Sequence, residues 1–195
     1  MYEYEKKKLL SNVNEELLEN LKKGGCFIAG GSVTSVFTNK EIADIDIYVP
    51  NKKAAVAICG WAFGCEDVSY CASESFAGIV VSTTERSITL KDKYTDILYQ
   101  IIMFDNFSSP EEIFNKFDFT VCMGAYDCAK EEFVLHEDFL KHCSQRQLHF
   151  NENTSYPFVS ALRVDKYKKK GYDISRSTFI KILLTCAAKP INSWD

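Results

Sequence analysis

One stretch limits what this chain can become. Residues 26–49 read CFIAGGSVTSVFTNKEIADIDIYV. The apolar run Cys26 to Ala29 predicts a short buried strand. Gly30 and Gly31 break it, Ser32 follows, and Val33 to Phe37 predicts one or two helical turns. Asp44 to Val49 predicts a second strand, alternating acidic and apolar residues up to Ile47. Successive strand side chains point to opposite faces, so Asp44 and Asp46 share one face and Ile45, Ile47 and Val49 the other. Two carboxylates placed this way suit hard divalent cations such as Mg²⁺ or Mn²⁺. A pair of such ions, about 3.5–4 Å apart, clamps the attacking and leaving oxygens of a phosphoryl transfer. The glycines let backbone N–H groups approach a phosphate at a helix start. Taken singly these features are weak. Asp-x-Asp also reads as a solvated strand face, and Gly-Gly as a turn.

Together, with Gly30 preceding Asp44 by 14 positions, GGS and DID resemble the nucleotidyltransferase superfamily of DNA polymerase beta, poly(A) polymerases and tRNA CCA-adding enzymes. The pattern is closest to the head and neck part of the CCA-adding enzymes, where GGxV precedes DxD. The resemblance implies an α+β fold: a mixed, palm-like sheet flanked by helices, with a short helical C-terminal extension. It implies that Asp44 and Asp46 are catalytic and bind the metal, Mg²⁺ or Mn²⁺. It assigns Gly30, Gly31 and Ser32 to the β/γ-phosphates of a nucleoside triphosphate (NTP).

Three further stretches extend the resemblance. FDFTVCMGAYD at 117–127 is similar to RDFTINALAYD of the CCA-adding enzymes, which places Asp118 at the nucleotide site. Phe117 stands where that pattern has Arg and Cys122 where it has Asn, so sugar and base contacts do not carry over. Residues 157–175 resemble a helix whose arginines face the incoming nucleotide. Arg163, Lys166 and Lys170 share one face there, and Arg163 and Lys166 would help neutralise the triphosphate. Of that family's Glu-Asp-x-x-Arg motif only Arg163 remains, and a solvated basic face is the equal alternative. The superfamily's third carboxylate should lie on a later strand. Gln100 occupies the expected place in ILYQIIMF, so Asp96, of the same parity, becomes the third catalytic candidate, with a turn aspartate as the equal alternative.

These parts imply transfer of a nucleoside monophosphate to an acceptor hydroxyl, with a tRNA-like RNA 3′-end as the favoured acceptor. Two alternatives stand beside it: a catalytically degenerate relative that binds RNA or protein as a regulator or inhibitor, and an antitoxin-like or AMPylating enzyme with a protein acceptor. The size suggests a minimal, single-domain member, a nucleotidyltransferase domain over 1–150 with a helical extension over 151–195.

Composition agrees with such a domain. Hydrophobic residues make up 46% of the 195, enough for a core, while the net charge of −4 supplies no global field for nucleic acid. The charge is uneven: residues 163–181 hold seven Lys or Arg against two Asp. No apolar run of about 18 residues predicts a membrane span, and the charged MYEYEKKKLL does not read as a signal peptide, so a cytoplasmic protein without membrane contact is expected. The eight cysteines lack CxxC zinc spacing and read as reduced thiols. Apolar periodicity predicts one amphipathic helix over 3–22, a helix over 51–62, strands at 76–82, 87–90, 97–104 and 133–135, and a last helix over 179–187. Ser109 and Pro110 mark a helix start. The three histidines, all within 136–149, read as surface residues.

Overall fold

The computed structural model describes residues 1–63, 78–92 and 95–189, with residues 78 and 79 as backbone alone. Seven strands form one mixed sheet: β1 (Phe27–Ala29), β2 (Asp44–Tyr48), β3 (Gly78–Thr83), β4 (Ser87–Asp92), β5 (Leu98–Ile102), β6 (Gly124–Asp127) and β7 (Glu132–Leu135). Their order is β3-β4-β5-β2-β1-β6-β7. β2 and β5 pair in parallel and the other neighbours antiparallel. The chain is therefore α+β, as the pattern implied. Of the strand expected over 76–82, residues 76 and 77 lie outside the described residues.

Alternation within β2 sorts the two sheet faces. Ile45 and Ile47 join Ile28, Tyr99, Ile101 and Tyr126 in the larger core. That core is covered by α1 (Glu3–Leu10), α2 (Glu15–Gly24) and α4 (Lys52–Phe63), through Leu9, Leu17, Leu21, Ala54 and Ile58. Each fully buried Leu or Ile contributes about 1.5–3 kcal/mol. On the opposite face, Phe27, Ala29 and Tyr48 pack with Phe107 and with α5 (Pro110–Lys116) through Ile113 and Phe114. Ser109 caps α5, its hydroxyl accepting from the Glu112 amide. This cover stops short of Asp44 and Asp46, which stay half-buried.

The helix expected over 3–22 is two helices. The apolar four-residue steps continue through the break, and Leu9, Val13, Leu17 and Leu21 are all buried. Asn14 starts α2, its side chain accepting from the amides of Glu16 and Leu17. The Tyr99 hydroxyl holds the break, accepting from the Asn14 amide and donating to the Asn12 carbonyl, both at 3.2 Å.

After the sheet come α6 (Phe139–Gln145), α7 (Pro157–Lys169) and α8 (Arg176–Ala187). Val164, Tyr167 and Ile182 share a core with Val33, Phe119, Val121 and Phe139. Two short parallel strands, β8 (Gln147–Leu148) and β9 (Asp173–Ile174), bridge the segment after α6 to the segment after α7. Among the described residues no helix is long and apolar enough to cross a membrane.

Candidate functional site

The site forms where β1 ends. Gly30 takes φ 82° and ψ −131°, a conformation open to glycine, and so turns the chain into α3 (Gly31–Phe37). A Cβ on Gly30 would meet the Phe117 ring at 3.4 Å and Asp46 Oδ2 at 3.5 Å. The glycine turn therefore lies directly against the second aspartate. Asp46 pairs with Ala29 of β1 on one side and with Gln100 of β5 on the other. Burial pushes the Asp46 carboxyl up to about 7, with Asp44 adding to the shift and Arg163 and Lys166 opposing it. Two carboxylates share one strand face in a half-buried setting, an arrangement that a cation relieves.

The Ser32 hydroxyl is enclosed at 2% exposure and has no hydrogen-bond partner among the described residues. Gly31 has open space where a side chain would be. An unpaired buried hydroxyl beside an open glycine fits a phosphate group at this turn. Thr34, one turn on, is a structural residue that sequence reasoning missed. Its hydroxyl lies 2.6 Å from the Val121 carbonyl and 3.0 Å from that of Gly30, tying the turn to the 117–127 segment.

Arg163 reaches Asp118 rather than an open site. Its Nη1 lies 2.9 Å from both Asp118 oxygens, and its Nη2 donates to the Tyr167 hydroxyl at 3.0 Å. That hydroxyl lies 2.6 Å from Cys122 Sγ. Burial raises the Asp118 carboxyl, and Arg163 opposes the shift. The positive charge of Arg163 still counts at Asp46, as does that of exposed Lys166.

Asp96 does not join the pair. Its side chain is 99% exposed and bonds Lys91 of β4 at 2.8 Å, on the side of β5 away from β2. The register places Gln100, two residues into β5, beside Asp46. Strand parity was right, but Asp96 precedes the strand and leans to the other neighbour. Of the three histidines expected at the surface, His149 is exposed and His136 half-buried, and His142 departs from expectation. His142 is buried, its Nδ1 lies 2.7 Å from the Thr120 hydroxyl, and its ring stacks on that of His149 at 3.6 Å.

With this geometry in view, residues 3–146 match the family described as Gabija anti-defense 2 family protein. The chain belongs to the Gabija anti-defense 2 family. A relative, Gabija anti-defense 2 of Bacillus phage SPbetaL7, is 46% identical over 194 residues, covering 100% of this chain and 45% of its own length. The chain thus spans less than half of that relative. An apo CCA-adding enzyme superposes with a TM-score of 0.65 at 16% identity, over 93% of this chain and 45% of that one. The Thermotoga maritima CCA-adding enzyme complexed with tRNA gives 0.63 at 16% identity, over 92% and 44%. A CCA-adding enzyme in complex with CTP gives 0.63 at 14% identity, over 93% and 45%. These likenesses establish the nucleotidyltransferase fold.

The Gabija anti-defense 2 chain keeps the glycine turn and the aspartate pair of the sequence pattern and departs from it at Phe117, Cys122 and Gln100. Phe117 packs its ring edge-on to Tyr48, beside the glycine turn. Among the described residues no cluster of three Asp, Glu, His or Cys side chains stands ready for a metal. Asp44 and Asp46 fit one hard cation, with Gln100 offering a neutral amide oxygen and a triphosphate supplying further oxygens.

Proposed function

We propose that this Gabija anti-defense 2 chain is a divalent-cation-dependent nucleotidyltransferase that counters Gabija defence by modifying an acceptor hydroxyl. One observation carries the reading: Asp44 and Asp46 share a strand face directly against the Gly30 turn, next to the unpaired Ser32 hydroxyl. Mg²⁺ or Mn²⁺, when bound, offsets phosphate charge and polarises the α-phosphate. Asp44 and Asp46 hold that cation. The backbone at Gly30 and Gly31 and the Ser32 hydroxyl orient the β- and γ-phosphates. Lys166, with the field of Arg163, lowers the cost of bringing a triphosphate to this face. The acceptor oxygen forms a bond to the α-phosphorus, the bond to the bridging oxygen breaks, and pyrophosphate leaves. The Gln100 amide cannot take the acceptor's proton, which passes to solvent. An RNA 3′-end is the favoured acceptor, supported by solved neighbours that include a CCA-adding enzyme with tRNA. A protein hydroxyl is the other.

Gln100 and Phe117 favour a second reading, a degenerate relative that binds NTP and inhibits without turnover. Incubation with each α-³²P-labelled NTP, Mg²⁺ or Mn²⁺, total RNA and total protein separates the two. Label that enters RNA or protein and is lost in the Asp44→Asn/Asp46→Asn variant supports the transferase and names its acceptor class. NTP binding without any label transfer would replace it with the second reading.

A further inference from the structure

A row of cations runs away from the acidic pair. Lys166 acts on Asp46 electrostatically. Lys170 lies one helical turn further on, at the C-terminal cap of α7. Lys40, in the loop between α3 and β2, donates its ammonium to the Lys170 carbonyl at 2.6 Å. Lys40 and Arg146 both lie over the Tyr172 ring, at 5.9 and 5.6 Å from its centroid. Three segments of the chain thus bring four positive charges to one rim. Gly31 and Ser35 of α3 and Thr38 at its end line a cavity of about 30 Å³ beside Lys40 and Lys170.

Among the described residues, no carboxylate forms an ion pair with Lys40, Arg146, Lys166 or Lys170. Asp165, the nearest acid in sequence on α7, is held by Lys169 at 2.7 Å. Partial burial and the charges of Arg146 and Lys170 press the Lys40 ammonium below its ordinary value. Like charges gathered without counter-charge cost stability, and an anionic ligand recovers that cost. Lys40 also caps the end of α7, where a cation is favourable. Capping accounts for Lys40 but not for the convergence of Arg146 and the Lys170 ammonium. The cavity has room for about two waters, too little for a phosphate, which would rest on the rim rather than inside.

We propose that Lys166, Lys170, Lys40 and Arg146 form a track for the phosphodiester backbone of a single-stranded nucleic acid whose end reaches Asp44 and Asp46. The strand's direction rests on the nucleotidyltransferase reading; the track itself does not. Each cation along a strand neutralises one phosphate and releases its counterion, contributing about 0.7 to the slope of log affinity against log salt.

The test is fluorescence anisotropy with fluorescein-labelled single-stranded 20-mers, one RNA and one DNA, across a salt series. Arg146→Gln/Lys170→Gln leaves the Lys40 cap in place, and Lys40→Gln is then added to it. The triple variant should bind at least about tenfold more weakly and lose about 2 from the salt slope. Lys7→Gln/Lys23→Gln/Lys53→Gln, which removes the same charge elsewhere, should bind as wild type does. Equal loss in that control, an unchanged slope in the triple variant, or no binding of either 20-mer to wild type overturns the proposal. NTP binding measured in parallel keeps the two readings apart. A wild type that binds the 20-mers but no NTP refutes the nucleotidyltransferase reading and leaves the track standing.

Discussion

Arg163→Met removes a charge and keeps much of the volume, so it isolates what the guanidinium does for Asp118. The two groups bond at 2.9 Å, with the carboxylate side chain 4% exposed and the arginine side chain 37% exposed. Breaking a buried pair by removing one partner costs about 3–5 kcal/mol. Water reaches the guanidinium here, so the cost is discounted to about 2–3 kcal/mol. For a domain of this size each kcal/mol moves the melting temperature by about 2–4 °C, giving a loss of about 4–12 °C. The loss should depend on pH. Burial already raises the Asp118 carboxyl, and Arg163 is the main opposing charge. Without it the folded pKa rises further above the unfolded value of about 3.9. A group raised in this way contributes stability below its unfolded pKa and loses it as pH rises through the folded one. The deficit of Arg163→Met should therefore be larger at pH 8 than at pH 5, and Asp118→Asn added to it should recover most of the loss at pH 8. Thermal denaturation of the single and double variants at both pH values reads all of this. A drop below about 1 °C at pH 8, or an equal drop at both pH values, would refute the role given to the pair.

Other outcomes follow from single contacts. Gly30→Ala forces a side chain into a glycine-only conformation against Phe117 and Asp46, and should cost about 1–3 kcal/mol and weaken NTP binding. Gly31→Ala, with open space, should melt at or above the wild-type temperature. Gln100→Glu places a third carboxylate beside Asp46, and Mn²⁺ titration calorimetry should show about tenfold tighter binding; unchanged affinity would move Gln100 out of the site. Burial and the neighbouring His149 lower the His142 pKa, so its contribution to stability is present above about 6.5 and lost as pH falls. His142→Asn should accordingly flatten the fall in melting temperature between pH 7 and 5. The four NTPs should bind within about threefold of one another by equilibrium dialysis, since rejection of a wrong base needs polar partners that go unpaired.

What the sequence shows best is local. Residues 26–49 carry strand, turn, helix and strand in one continuous pattern, and each element forms close to its expected bounds: β1 at Phe27–Ala29, α3 at Gly31–Phe37, β2 at Asp44–Tyr48. Asn39 takes the left-handed turn its type tolerates, at φ 53°. The failures come from partners distant in sequence. The break between α1 and α2 is held by Tyr99, whose hydroxyl meets residues more than 80 positions earlier. His142 looks like a surface residue until Thr120 and His149 fold onto it. Asp96 has the right parity for β5, yet pairing with Lys91 draws it toward β4. The cation rim around Tyr172 joins residues 40, 146 and 170, which no window along the chain contains.

The departures from the CCA-adding pattern share a location, and that location says what kind of site remains. Phe117 closes against Tyr48 and Phe114, and Cys122 is drawn into the core by Tyr167. Arg163, which the pattern offers to the nucleotide, is committed to Asp118 and Tyr167. Phe117 and Cys122 exchange polar groups of that pattern for packing inside the protein, and the retained Arg163 turns its guanidinium inward to an ion pair. The glycine turn, against the Phe117 ring, still sets Gly31 and the Ser32 hydroxyl beside the Asp44–Asp46 face. On the proposed function, such a site would hold the triphosphate and its cation, which are common to all NTPs, and give up most of its means of telling one base from another. Discrimination would then fall to the acceptor, and the cations beyond Lys166 are the part of the surface placed to supply it.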